Sequence, residues 1–137
     1  MPVFMPIWLW TNELVERYTG YEHLVLDGLC RRLEEAPVLD SALKFYGIQN
    51  PHIVYINVSN AWATQRMQGR GRTDDTEHYI ASRLAWFDRD VLPVLDYFRA
   101  KPEYQFHEIN GEQSIEAVFQ DIQAALQLGS EHYGDSY

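Results

Sequence analysis

Of 137 residues only one is a cysteine, Cys30, and only two are lysines, Lys44 and Lys101. A lone cysteine excludes a disulfide within the chain and makes a reducing, cytoplasmic compartment the simplest setting. Positive charge is short overall, with 11 Lys and Arg against 20 Asp and Glu and a formal net charge of -9. Such a surface repels a polyanion as a whole, which argues against a nucleic-acid partner. No apolar run approaches the roughly 20 residues that cross a bilayer, so no membrane partner is expected. Residues 1–10 are apolar but have neither the basic start nor the small-residue cleavage site of a signal peptide.

What is present is 46% hydrophobic and 23% charged, enough for one core, and a single domain over 1–137 is expected. Phe4, Met5, Ile7, Trp8, Leu9 and Trp10 crowd apolar surface at a terminus, where chains are usually polar and frayed, so they are expected to pack against something. The apolar spacing predicts a helix over 11–18 closed by Gly20, and a short buried strand over 23–26 that ends in the Asp27-Gly28 turn. A helix follows over 33–46, stopped by Gly47, then a strand over 52–58 and a helix from Ser59-Asn60 to about 69. A long helix over 75–99, capped by Thr73 or Asp74, should bend at Pro93. A third strand over 104–109, a turn at Asn110-Gly111, a helix over 115–128 and a tail over 129–137 complete the chain. Strands alternating with helices predict an α/β fold with a parallel sheet.

Ligands of open α/β sheets bind beyond the C-terminal ends of the strands, so the polar residues after each expected strand come first. Nine of the eleven basic residues are Arg, the side chain suited to bidentate phosphate contacts. Arg31 and Arg32 follow the first strand; Arg66, Arg70 and Arg72 follow the second. Arg66 and Arg70 are one helical turn apart, and Arg83 lies two turns into the next helix. Grouped guanidiniums repel unless an anion or carboxylates share the site, and Asp74 and Asp75 are the nearest carboxylates. A phosphate chain fits such a cluster, and so do ordinary surface salt bridges; spacing does not separate the two. His23, His52, His78, His107 and His132 never stand at zinc-ligand spacing and read as structural or surface residues. Cys30 has no nucleophile motif around it, and the four tryptophans read as core or interface.

In order along the chain, these motifs resemble the adenylate kinase family of nucleoside monophosphate kinases. Leu26-Asp27-Gly28-Leu29-Cys30-Arg31, with Glu35-Ala36 and Leu39, is similar to the family's L-D-G-F-P-R-T-x-x-Q-A-x-x-L. Arg66-x-x-x-Arg70-Gly71-Arg72-Thr73-Asp74-Asp75, Glu77 and Arg83-Leu84 resemble its R-x-x-x-R, R-x-D-D and E-x-x-x-x-x-R-L series. Pro93 with Tyr97, and Ile109-Asn110-Gly111, match later stretches, so the resemblance covers about 20–125. It implies a P-loop-kinase-like parallel sheet with flanking helices, and phosphoryl transfer from ATP, accompanied by Mg2+, to AMP. By the same resemblance Arg31 holds the monophosphate's phosphate, Gly28 lies against its base, and Glu35 stands where the family often has an adenine-reading Gln. Arg66 stacks on the ATP adenine and the backbone near Gly111 lies against ATP. Arg70, Arg72 and Arg83 surround the transferred phosphoryl group, and Asp74 and Asp75 orient them beside a short lid near 69–75.

Two departures shape the expectation. A carboxylate at 35 only accepts hydrogen bonds, whereas an amide both donates and accepts, so the base is open; Cys30 for Pro and Leu29 for Phe add to this. No G-x-x-x-x-G-K-[ST] occurs, although the family carries that loop on a first, central strand. The chain is therefore expected to start after both, as an N-terminally truncated, weakly active or inactive form. It should be marginally stable, pair the strands around the missing one directly, or self-associate through its apolar first residues. Losing the cradle should cost several orders of magnitude in rate, since positioning contributes on the order of 7 kcal/mol or more. A non-catalytic nucleotide-binding or interaction module is the other class the pattern fits.

Overall fold

Helix α1 (Phe4–Arg17) turns Trp10 and Leu14, four residues apart, into the interior. Helix α2 (Glu35–Phe45) does the same with Ala36, Leu39 and Leu43, and helix α5 (Leu92–Arg99) with Val94 and Phe98. Between them in sequence come strand β1 (His52–Asn57), helix α3 (Asn60–Arg70), helix α4 (Glu77–Trp86) and a π-helical turn, Phe87–Val91; strand β2 (Gln105–Asn110) and helix α6 (Ile115–Ala125) follow. This computed structural model describes residues 2–70 and 76–127.

The described residues form two compact units. The first comprises those of Met1–Pro51 and Ala81–Tyr104, the second those of His52–Ile80 and Gln105–Tyr137. In the first, α1 packs on α2 and α2 on α5. Their end contacts are aromatic: Tyr18 meets Tyr46 edge-on at 5.1 Å, and Phe98 lies 4.8 Å from Tyr104. The close of α2 follows from Gly47, whose φ of 70° lets Ile48 N–H reach back to Leu43 O at 3.0 Å and Gly47 N–H to Lys44 O at 3.1 Å. In the second unit β1 and β2 pair in parallel from His52 with Gln105 to Asn57 with Asn110, and α6 packs on β2. Ser114 caps α6 by accepting from Ala117 N–H at 3.2 Å.

The α/β class and the helices and strands expected beyond residue 33 are present, most with ends shifted by a residue or two. Just before Pro93, where a bend is expected, the chain passes through a π turn in which Leu92 N–H bonds to Phe87 O, five residues back. Two expectations are corrected. Residues 23–26 form no strand; they pair with no other strand among the described residues, and Val25 is 86% exposed. A ladder needs a partner for its N–H and C=O groups, and without one apolar content does not make a strand. Residues 2–10 are not packed away either. They enter α1 near its start, but a helix buries one face only, so Trp10 is inside while Phe4, Met5, Trp8 and Leu9 stay exposed. The lid's residues 71–75 and the expected tail lie outside the described residues.

Asp40 locks the first unit. Its carboxylate, on α2, accepts from Lys44 Nζ at 2.9 Å, from Lys101 Nζ at 3.0 Å and from the Tyr104 hydroxyl at 2.9 Å. Burial pushes this carboxyl up, but those three bonds outweigh it and hold Asp40 below the usual aspartate range. Burial, then the Asp40 charge, raises the Tyr104 phenol, which stays a donor. Because the folded-state value is depressed, Asp40 stabilises the fold above the ordinary aspartate range, and that contribution is lost as pH falls through the folded value. Asp40→Ala should cost about 2 kcal/mol or more at neutral pH in urea unfolding, since hydrogen bonds to a charged group are lost and a phenol is left unpaired. Asp40→Asn should lose less stability than the parent between pH 5 and pH 2; identical acid limbs would remove Asp40 from the pH dependence.

Candidate functional site

The loop into α2 is built on two left-handed residues, Gly28 at φ 64° and Cys30 at φ 60°. It folds Arg31 back so that its Nε donates to Gly28 O at 2.7 Å, and a Cβ at position 28 would lie 2.6 Å from Arg31 Nη2. Cys30, within this loop, is itself buried; burial, then the charge of Glu35, pushes its thiol up to about 12, so it is no activated nucleophile. Glu35 occupies the first turn of α2, where the helix dipole favours an anion, and is 4% exposed. Its carboxylate accepts no hydrogen bond and makes no ion pair among the described residues.

In the second unit Ser59 starts α3 by accepting from Trp62 N–H at 3.2 Å, while its own N–H donates to Glu112 at 2.6 Å. Bonding from Ser59, side chain first and then N–H, holds the Glu112 carboxyl below its usual range. One turn on, the Arg66 guanidinium lies over the Trp62 ring at 4.8 Å. Arg70 ends the same helix. Gly111 follows β2 and donates to Asn57 O at 2.8 Å; a Cβ there would be 2.6 Å from Val58 Cγ1 and 2.7 Å from Ile56 Cγ2. This close approach explains the glycine. A cleft of about 520 Å³ opens beside it at the C-terminal ends of both strands, lined by Asn57, Val58, Ser59, Glu108, Ile109, Asn110 and Glu112.

The candidate residues thus fall into two groups. Gly28, Arg31 and Glu35 sit together around the start of α2 in the first unit, which also holds Arg83 in the last turn of α4. Arg66, Arg70 and Gly111 belong to the second. Arg72, Asp74 and Asp75 lie outside the described residues. The arginines themselves divide: Arg17 pairs with Glu13 at 2.9 Å, Arg89 with Asp90 at 2.6 Å and Arg99 with Asp96 at 2.9 Å. Arg31 and Arg66 are exposed and make no ion pair among the described residues. Sequence reasoning missed Trp62 as the partner of Arg66, the acidic and amide lining of the cleft, and the 2.8 Å contact of His52 Nδ1 with His107 Nε2 across the parallel strands. The i,i+4 spacing of Trp62 and Arg66 was the one readable signal among these. No group of three or more His, Cys, Asp or Glu among the described residues is placed to hold a metal ion, and no described helix is long and apolar enough to cross a membrane.

With this geometry established, the chain can be set beside proteins of similar sequence. It is 31% identical over 115 residues to "Adenylate kinase 1" of Nostoc sp., covering 84% of this chain and 61% of that protein. It is 33% identical over 91 residues to the adenylate kinase of Oenococcus oeni, covering 66% of this chain and 48% of that protein. With the Mycolicibacterium vanbaalenii adenylate kinase the identity is 36% over 94 residues, 66% of this chain and 52% of the other. No family model matches the chain. The chain is a sequence relative of the adenylate kinases and spans between about half and three fifths of the length of these three. Its two parallel strands and flanking helices agree with part of a P-loop-kinase-like fold.

Gly111→Ala should destabilise by about 1–3 kcal/mol, because the added methyl must displace Val58 and Ile56 side chains. Gly69→Ala, in α3 with open space at its Cβ, should stabilise by roughly 0.5–1 kcal/mol. Urea unfolding of both variants checks the pair, and a neutral Gly111→Ala would disprove the close approach.

Proposed function

We propose that this chain belongs to an adenylate kinase-like phosphotransferase moving a phosphoryl group from MgATP to AMP to give two ADP. The observation that carries the reading is the division of the arginines, with Arg31 and Arg66 exposed and unpaired by carboxylates among the described residues while Arg17, Arg89 and Arg99 are locally neutralised. In this reading Arg31, braced by Gly28 O, takes the monophosphate's phosphate, and Gly28 and Glu35 face its base. Arg66 leaves Trp62 to stack on the ATP adenine, and the backbone at Gly111 lies against ATP. Arg70, Arg72 and Arg83 neutralise the transferred phosphoryl group, with Asp74 and Asp75 orienting them. Such a transfer depends on positioning and charge stabilisation rather than covalent chemistry by the protein. Mg2+ bound with ATP would supply charge neutralisation of the phosphates.

The absence of G-x-x-x-x-G-K-[ST] from these 137 residues favours a second reading, a nucleotide-binding module that does not turn over by itself. The single buried cysteine suits a cytoplasmic setting, and the outward row of Phe4, Trp8 and Leu9 on α1 supports self-association, which sedimentation velocity over a concentration range reads.

Calorimetric titration with diadenosine pentaphosphate, run beside a coupled assay for ADP, tests the proposal. Binding is expected, and Arg31→Ala, Arg70→Ala and Arg83→Ala should each weaken it about tenfold or more, the worth of a hydrogen bond to a charged group. Arg17→Ala and Arg99→Ala should change it little. Equal effects from all five would overturn the site; binding without turnover would select the second reading.

A further inference from the structure

His52 opens β1 and His107 is the third residue of β2, and the register sets His52 beside Gln105 and Val54 beside His107. Alternate residues of a strand share a face, so both imidazoles rise from the same side of the sheet as diagonal neighbours. His52 Nδ1 lies 2.8 Å from His107 Nε2, with the ring planes 9° apart and the centroids 5.1 Å apart. At that centroid distance so short a nitrogen contact is met only head-on, one ring's N–H pointing at the other's lone pair. The pair is exposed to solvent, and its members stand 55 positions apart in sequence, so no ligand spacing reveals them.

From this juxtaposition we propose that His52 and His107 form a two-nitrogen chelate for a square-planar or tetragonal divalent cation, copper(II) or nickel(II), which clips β1 to β2. Imidazole suits these ions. Two metal–nitrogen bonds of about 2.0 Å at a right angle set their nitrogens about 2.8 Å apart, whereas the wider tetrahedral angle favoured by zinc needs about 3.3 Å. The spacing across the strands therefore matches the square plane. Each exposed ring turns about its Cβ–Cγ bond, a broad torsion, until the two lone pairs meet on one ion instead of facing each other. The proton between the rings passes through solvent to the outer nitrogen of its own ring, so both inner nitrogens become donors with no net loss of protons. Water fills the remaining positions. An ion that binds only the paired strands stabilises the fold by mass action.

The test is calorimetric titration of the full, tag-free chain with CuSO4, NiCl2 and ZnCl2 at neutral pH, beside thermal melts followed by circular dichroism. One copper or nickel ion per chain is expected, bound at least tenfold tighter than by His52→Ala or His107→Ala, with zinc weaker than both. Saturating nickel should raise the Tm of the parent by about 3 °C or more and leave that of either variant unmoved. Electron paramagnetic resonance of the copper(II) form should show two nitrogen donors in the parent and one in either variant. His23→Ala and His78→Ala should change none of these readings, and His52→Gln, which keeps an amide beside His107, replaces His52→Ala if the latter does not fold. Binding of none of the three ions, binding unaltered in the His52 and His107 variants, nitrogen donors traced to His23 or His78, zinc bound tighter than both other ions, or an unmoved Tm overturns the proposal.

Discussion

The first unit depends on one carboxylate. Asp40 takes Lys44 from its own helix, Lys101 from just past α5 and the phenol of Tyr104, so a single acceptor ties α2 to the chain that leads into β2. Both lysines of the protein are spent there. Phe98 packs on the Tyr104 ring, which joins this polar knot to the apolar row of α5. An unpaired carboxylate at this depth would cost several kilocalories, and three donors turn that liability into a constraint on where α2 can lie.

With the lysines committed to structure, anion chemistry is left to arginine. The guanidiniums of Arg17, Arg89 and Arg99 answer carboxylates one to four residues away, as expected of exposed surface pairs of little energetic worth. Arg31 and Arg66 are held differently, one against a carbonyl and one over an indole ring. Both contacts fix direction without neutralising charge. In the proposed function, a phosphate or an adenine ring takes the guanidinium without first breaking an ion pair.

Much of this was readable from residue order. Apolar spacing located α2 through Leu39 and Leu43 and α6 through its amphipathic pattern, and Gly47 marked the end of α2, because each depends on contacts within a few residues. The motif around Asp27 and Gly28 and the Arg66-x-x-x-Arg70 pair were likewise local, and the family they pointed to is the one the sequence relatives carry. Residues 23–26 were misread because a strand needs a neighbour, and apolar content says nothing about whether one is there. Residues 1–10 were misread because helical periodicity buries Trp10 and Leu14 and leaves Phe4 and Trp8 outside. Glu35 could be seen as a departure from an amide, but not as a residue 4% exposed in the first turn of α2.

Composition and local pattern by themselves determined the class of fold, most helix ends, the scarcity of lysine and the candidacy of the arginines. These follow from backbone geometry and side-chain chemistry within one turn or one strand. Only the tertiary structure decided that Asp40 gathers Lys101 and Tyr104 from more than 60 positions away, that Gly111 has no room for a methyl, and which arginines are already neutralised. Those are distances between segments remote in sequence, and they are set by how the apolar faces pack rather than by any residue's own preference.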